Sequence, residues 1–181
     1  MTISPTIYPI EDAKDAYSRI LAKATPSHIA EAAMWYPKAN DVARKLCDIN
    51  TTLDIERASC VIAAFSPRVT WKHNVLLATM FASGMRVRCL GSSIRNAEVS
   101  SRIGFDGLKG MKTNAFARNI AGESHPVTID AWMIKPFGLK SVNKTQYNLL
   151  SGAVRSLALD YRMPASTMQA LIWIVNRGAA E

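Results

Sequence analysis

The sequence predicts an all-α domain. Apolar residues recur at helical spacing almost throughout, and the alternation expected of half-buried strands is absent. Glycines and prolines fall between the periodic runs, where helices end and begin. A length of 181 residues fits one domain, with two small helical lobes and a cleft between them as the upper limit. There is no internal repeat, low-complexity segment or obvious linker, so residues 1–181 are read as one helical unit whose two ends could pair into one lobe.

Helices are expected over residues 9–24, 27–36, 38–48, 52–65, 71–83, 92–103, 112–121, 130–137, 144–160 and 164–178. Thr25-Pro26 and Met163-Pro164 mark starts, because proline in the first turn gives up an N–H that has no partner there anyway. The run over 52–65 and the run over 164–178 are apolar nearly all round, which places both at the centre of the fold. Asp130 follows the extended piece "PVTI" and belongs at or near a helix N-cap. Asn143 or Lys144 opens the next helix, in which Leu149, Leu150, Ala153, Leu157 and Ala158 form one stripe. Gly84, Gly104, Gly122, Gly138 and Gly178 each follow a helical run, as helix-ending glycines do.

Composition narrows the function. An apolar fraction of 49% supports a buried core and argues against disorder. The longest apolar runs, "CVIAAF" and "ALIWIV", are too short to cross a bilayer, and the first residues carry no secretion signal. Cys47, Cys60 and Cys89 are odd in number and lack a CxxC, and the three histidines are scattered. A cytoplasmic monomer without metal or other cofactor is expected. The net charge of +8 lies mostly in the middle of the chain: from Arg68 to Arg118, nine lysines and arginines face two acids, Glu98 and Asp106. Such a concentration suits a phosphate-bearing partner, although a solvated basic surface gives the same count.

Chemistry concentrates between Leu108 and Trp132, in "LKGMKTNAFARNIAGESHPVTIDAW". A glycine-bearing turn, Gly107-Leu108-Lys109-Gly110, opens a helix whose first backbone N–H groups and dipole suit a phosphate oxygen. Gly107 and Gly110 would allow close approach, and Lys109 and Lys112 add charge. As a bare turn this is weak, since glycines between helices are usually connectors, and an N-terminal aspartate is usually a cap. Lys112 and Asp130 together, however, are the two groups needed to displace a base from a sugar. A carboxylate stabilises the oxocarbenium-like state of glycosidic cleavage, and a deprotonated lysine amine can trap the sugar carbon as a Schiff base.

The same stretch resembles the core of the helix-hairpin-helix DNA glycosylases, the superfamily of endonuclease III and the adenine glycosylases. Their pattern is a Gly-hydrophobic-Gly hairpin, a Lys-Thr or similar pair, then Pro-Val-Asp-Thr-His. The resemblance implies a hairpin at about 104–121, Lys112 as the Schiff-base lysine of the bifunctional members and Asp130 as the catalytic carboxylate. Their eighteen-residue separation is that of endonuclease III. Upstream, "CVIAAFSPRVTWKHNVLLATMFASG" is similar to the helix–loop–helix that fills the space left by a flipped base. Downstream, "MPASTMQALIWIVNRG" resembles the family's closing helix, so the likeness spans residues 52–178. There are departures. Leu108 replaces the first hairpin glycine, Trp132 stands where a histidine is expected, the chain between Asn74 and the hairpin is short, and no cysteine cluster follows Arg177, which removes the iron–sulfur cofactor.

The resemblance further implies that Arg68, in the loop "SPRVTW", enters the duplex as a wedge and that Trp71 stacks on a base; a core position is the equal alternative for Trp71. Trp35-Tyr36, Trp132 and Trp173 are assigned to packing. Arg118, on the second hairpin helix, is assigned phosphate charge. The expected function is therefore a compact DNA glycosylase acting on double-stranded DNA, with associated strand cleavage through Lys112 as an extension. The alternative is a non-catalytic helix-hairpin-helix DNA-binding protein, and a basic helical adaptor would make the Lys112–Asp130 pair coincidental.

Overall fold

The computed structural model describes residues 10–178, and it is helical, with no strand among them. The helices are α1 (Ile10–Leu21), α2 (Pro26–Ile49), α3 (Ile55–Phe65), α4 (Trp71–Ala82), α5 (Gly91–Ile103), α6 (Met111–Ala121), a single turn α7 (Ala131–Ile134), α8 (Lys144–Asp160) and α9 (Ala165–Arg177). Short 3-10 turns cover Gly104–Gly107 and Lys135–Phe137. The expected helix start at residue 9, and the ends of the single unit 1–181, lie outside the described residues. No described helix is long and apolar enough to cross a membrane.

One expectation is corrected. Residues 27–36 and 38–48 are not two helices but one, since α2 runs through Pro37. An interior proline costs a helix about 3 kcal/mol. Here the ring sits on the exposed side, while Ala32, Tyr36, Ala39, Ala43 and Leu46 form a buried face that continues past it. Tertiary packing on both sides of the break outweighs the local penalty. The helix start follows the local rule: Thr25 accepts from the His28 N–H at 3.3 Å and donates its own N–H to His28 Nδ1 at 3.2 Å.

α3 is the central helix, with every residue from Ala58 to Phe65 buried, and it packs on α2, α4, α5 and α6. α9 is the second centre and packs on α1, α2, α7 and α8. α2 touches both groups, and a contiguous apolar core joins them. α1 packs on α8 and α9.

After α6 ends at Gly122, whose φ of 110° suits glycine, residues 126–129 cross the interior in extended form without a strand partner. Side chains from the helices satisfy this backbone instead. The Tyr147 hydroxyl donates to Val127 O at 2.8 Å and accepts from the Ile129 N–H at 3.3 Å. Asn119 Nδ2 donates to Pro126 O at 2.9 Å. Farther on, the Tyr17 hydroxyl donates to Met133 O at 2.9 Å and Asn176 Nδ2 to Trp132 O at 2.6 Å.

Tyr147→Phe strands two buried backbone groups at once, so a loss of about 1–3 kcal/mol is expected. Urea denaturation of the variant measures it, with Tyr161→Phe on the exposed end of α8 as the control. Equal stability of the two variants would mean that the extended segment is held by something else.

Candidate functional site: a tryptophan-lined cleft

A cleft of about 550 Å³ opens where α2, the α3–α4 loop, α6, the 126–132 segment and α9 meet. Trp35, Trp71 and Trp173 form its apolar wall. The ring of Trp35 lies 5.5 Å from that of Trp71 and 5.3 Å from that of Trp173, tilted at 53° and 36°. Phe116 completes the wall, and Tyr36, Asn74, Thr128 and Gln169 supply polar atoms. The volume falls within the range of about 300–1,000 Å³ usual for small-molecule sites, as does the mix of aromatic walls with few polar groups.

Asp130 and Lys112 both line this cleft. Asp130 is the N-cap of α7: its Oδ1 accepts from the N–H groups of Trp132 at 2.9 Å and Met133 at 3.0 Å. Its Oδ2 accepts from Trp173 Nε1 at 2.9 Å. An ionised carboxylate offers about four acceptor positions, so three bonds fix its orientation and leave capacity on Oδ2. The expected cap is therefore present, and an indole on another helix aims the second oxygen. Lys112 stands in the first turn of α6. Gly110, its N-cap, has no side chain to bond the first amides, which leaves them open to an outside acceptor.

Arg68 and Trp71 also reach the cleft. Arg68 is exposed, with φ of 62°, in the turn after Pro67, where glycine or asparagine is usual. A non-glycine residue in this region stores roughly 1–2 kcal/mol, and such strain clusters at functional sites. Trp71 is half-buried, packs on Trp35 and lines the cleft.

Three hairpin residues fall elsewhere. Gly107 is buried, and a Cβ there would stand 2.6 Å from Ser100 Cα, so its small size serves the approach to α5 and no outside phosphate. Arg118 is engaged within the protein, with Nε on Asn114 Oδ1 at 2.9 Å, Nη1 on Glu123 Oε1 at 2.8 Å and its guanidinium 4.2 Å above the Phe105 ring. That arrangement opposes the phosphate role expected for it. Lys109 is exposed on a second hollow of about 370 Å³ that it shares with Arg118 and Arg155 and that has no lining residue in common with the cleft. Asn114 holds the turn itself by donating to Phe105 O at 2.9 Å and Leu108 O at 3.2 Å.

Sequence reasoning passed over Asn74, Thr128 and Gln169 as site residues. The assignment of Trp35, Tyr36, Trp132 and Trp173 to packing is incomplete, since all four line the cleft. A signal was available: in the otherwise apolar α9, Gln169, Trp173 and Arg177 recur every four residues and so share one face. Among the described residues no group of His, Cys, Asp and Glu is placed to hold a metal ion. Burial pushes the Cys60 thiol up to about 12, which leaves it protonated and unreactive.

A family model described as a family of unknown function, DUF7178, matches residues 10–180. No curated protein and no solved structure matches the chain.

The phenols of Tyr17, Tyr36 and Tyr147 are all raised, first by burial and further by the Asp130 charge. Hydrogen bonds oppose the rise at Tyr36, through Thr128, and at Tyr147, through the Ile129 N–H. A raised phenol favours the folded state while it stays neutral. Its contribution is complete below the unfolded value near 10 and is lost as pH rises through and beyond it. Stability should thus decline above about pH 10, with tyrosinate absorbance from these three residues appearing only as the chain unfolds. Ionisation of all three in a chain that keeps its native circular dichroism would contradict their placement.

Proposed function

The chain belongs to the DUF7178 family of unknown function, and from its own geometry we propose that it is a DNA glycosylase that draws a damaged, mismatched or modified base into the tryptophan-lined cleft and cuts its glycosidic bond. One observation carries this reading: Asp130, aimed by Trp173 and with Oδ2 capacity to spare, lines the same cleft as Lys112. The resemblance of the stretch from Leu108 to Trp132 to helix-hairpin-helix glycosylases supports it independently. In this reading the open amides at the start of α6 take a backbone phosphate, and Arg68 occupies the space vacated by the extruded base. The aromatic wall receives the base, and Asp130 stabilises the cationic sugar as the bond to the base breaks. Lys112 then adds to the sugar carbon and gives strand cleavage; where it does not, water completes the reaction.

A binding module without turnover is the second reading, and Leu108 favours it. It stands where the family pattern has a glycine, is only 3% exposed, and belongs to the core. This changes the hairpin's inner packing and leaves the Lys112–Asp130 pair intact, so the enzyme reading is preferred.

Asp130→Asn tests the enzyme. Oδ1 can still cap α7, but the new amide would face the Trp173 indole N–H, donor against donor. Asp130→Asn is therefore compared with the double variant carrying Trp173→Phe, which removes that conflict. Both should release base about 10²-fold more slowly or worse, while DNA binding is kept. Release at the parent's rate would reduce Asp130 to a structural cap.

Strand cleavage is tested by borohydride added during turnover, which should trap a covalent protein–DNA adduct. Lys112→Gln should lose both the adduct and the nick. If base is released and no adduct forms, the enzyme is monofunctional and Lys112 holds a phosphate.

A further inference from the structure

The second hollow, of about 370 Å³, lies between one face of α6, from Met111 to Arg118, and one face of α8, from Tyr147 to Arg155. Leu108 and Lys109 of the hairpin turn and Pro126 and Val127 of the extended segment complete it. Its size falls within the range of about 300–1,000 Å³ usual for small-molecule sites. Three cations line it, Lys109, Arg118 and Arg155, and no aspartate or glutamate does. Arg118 is already matched by Glu123. Lys109 and Arg155 take part in no ion pair and no side-chain hydrogen bond among the described residues.

Arg155 is the informative residue. Lys109 is exposed and open to water, but Arg155 is half-buried. Burial raises the Tyr147 phenol, and Arg155 stands near enough for its charge to oppose that rise. Tyr147 donates to Val127 O at 2.8 Å, and both residues line the hollow, so the Arg155 charge lies by its wall. A guanidinium partly withdrawn from water without a counter-charge is costly. Its planar fork fits an oxyanion through two parallel N–H···O bonds, and an ammonium nearby adds a point charge. Two uncompensated positive charges match a phosphate monoester, which carries about −1.5 to −2 at pH 7, better than the singly charged diester.

We propose that the hollow is a phosphate-monoester site, in which Arg155 grips the phosphoryl oxygens and Lys109 adds the second charge. The apolar part of the lining, Leu108, Met111 and Val127, takes the carbon skeleton that carries the phosphate. The site stands on these residues and not on the glycosylase reading; one of its two sources rests on that reading. Met111, Ala115 and Val127 line the hollow, whereas their neighbours Lys112, Phe116 and Thr128 line the cleft. α6 and the extended segment thus form the partition between the two, and a helix with its side chains is about 10–12 Å across. When Lys112 cuts the strand as proposed, the Schiff base loses a C2′ proton to water and the C3′–O bond breaks, its electron pair leaving with the phosphate. The downstream strand then ends in a monoester one partition away from the hollow. A free mononucleotide presents the same group.

The full chain, labelled with nitrogen-15, is titrated at constant ionic strength with methyl phosphate and with dimethyl phosphate while the arginine Nε–H signals are followed by NMR. Arg155→Gln identifies the Arg155 signal by its loss. Methyl phosphate should shift that signal saturably and bind roughly tenfold more tightly than the diester. Equal binding, or shifts of the same size at the exposed Arg86 and Arg88, would reveal ordinary surface charge and overturn the proposal. Lys109→Gln should weaken methyl phosphate binding by about tenfold without lowering the melting temperature; unchanged binding overturns the role of Lys109. Two further ligands separate the sources. A duplex with a one-nucleotide gap carries either a phosphate or a hydroxyl at the 5′ end of the gap. If the terminal phosphate tightens binding by about tenfold and Arg155→Gln removes that gain, the occupant is a strand end. If the DNA shows no gain and adenosine monophosphate shifts the Arg155 signal, the occupant is a free mononucleotide. Failure of both would make methyl phosphate an adventitious ion only and overturn the proposal. Phosphate-dependent binding in a protein that releases no base from DNA would refute the glycosylase and leave the hollow's role standing.

Discussion

The fold depends on how a helical protein carries an extended segment through its interior. Residues 126–129 have no neighbouring strand, so their buried N–H and C=O groups must find partners other than a sheet ladder. Tyr147 from α8 and Asn119 from α6 supply several, while Tyr17 from α1 and Asn176 from α9 hold the turn that follows. The segment therefore couples four helices far apart in sequence. It also delivers Asp130 to the cleft, because the cap begins where the clamped stretch ends. Structural demand and site geometry are here one arrangement: loosening the clamp would move the carboxylate.

The hairpin is built on similar terms. Its inner side is closed by Leu108, by the tight approach of Gly107 to Ser100 and by the Asn114 bonds, while Glu56 accepts from the Phe105 N–H at 2.9 Å. The turn is thus held from within, while Gly110 at the start of α6 is exposed and no side chain caps the helix. Only two of the nine basic residues between Arg68 and Arg118 line the cleft, Arg68 and Lys112. The central charge excess is not a single patch around the site. Arg118 is largely neutralised by Glu123, and an Arg118–Glu123 pair at a helix end is a structural use of charge that a count along the sequence misses.

What the sequence made legible follows the range of the interactions involved. Helical periodicity, helix-ending glycines and the caps at Thr25, Asp130 and Asn143 are local, and each is present at the expected place. Pro37 misled because its local penalty is overruled by packing that periodicity does not reveal. Asp130 and Lys112 were legible through their spacing. The partner that aims Asp130 was not, since Trp173 lies forty-three residues farther on in a helix that reads as core. The same holds for Tyr36, Asn74 and Gln169, which are contributed by three helices and meet only in the folded chain. A polar or aromatic residue repeated every four positions along an apolar helix is the trace such a site leaves in sequence.

Departures from local rules are informative only after ordinary explanations are removed. Arg162 also has positive φ, at 53°, but it sits just past the end of α8, where the Met163 N–H bonds back to Ala158 O in the usual helix-ending pattern. Arg68 has no such setting: α3 has already ended at Phe65, and the strained residue lies in a five-residue loop whose members from Ser66 to Thr70 all line the cleft. The uncapped amides of α6 and the unmatched Asn74 oxygen fall at or beside the same space. Ser100 Oγ and Ser151 Oγ are unmatched as well, away from it, so an orphaned atom alone does not mark a site. The cleft differs in gathering several unlike costs, in backbone, helix end and side chain, around one carboxylate.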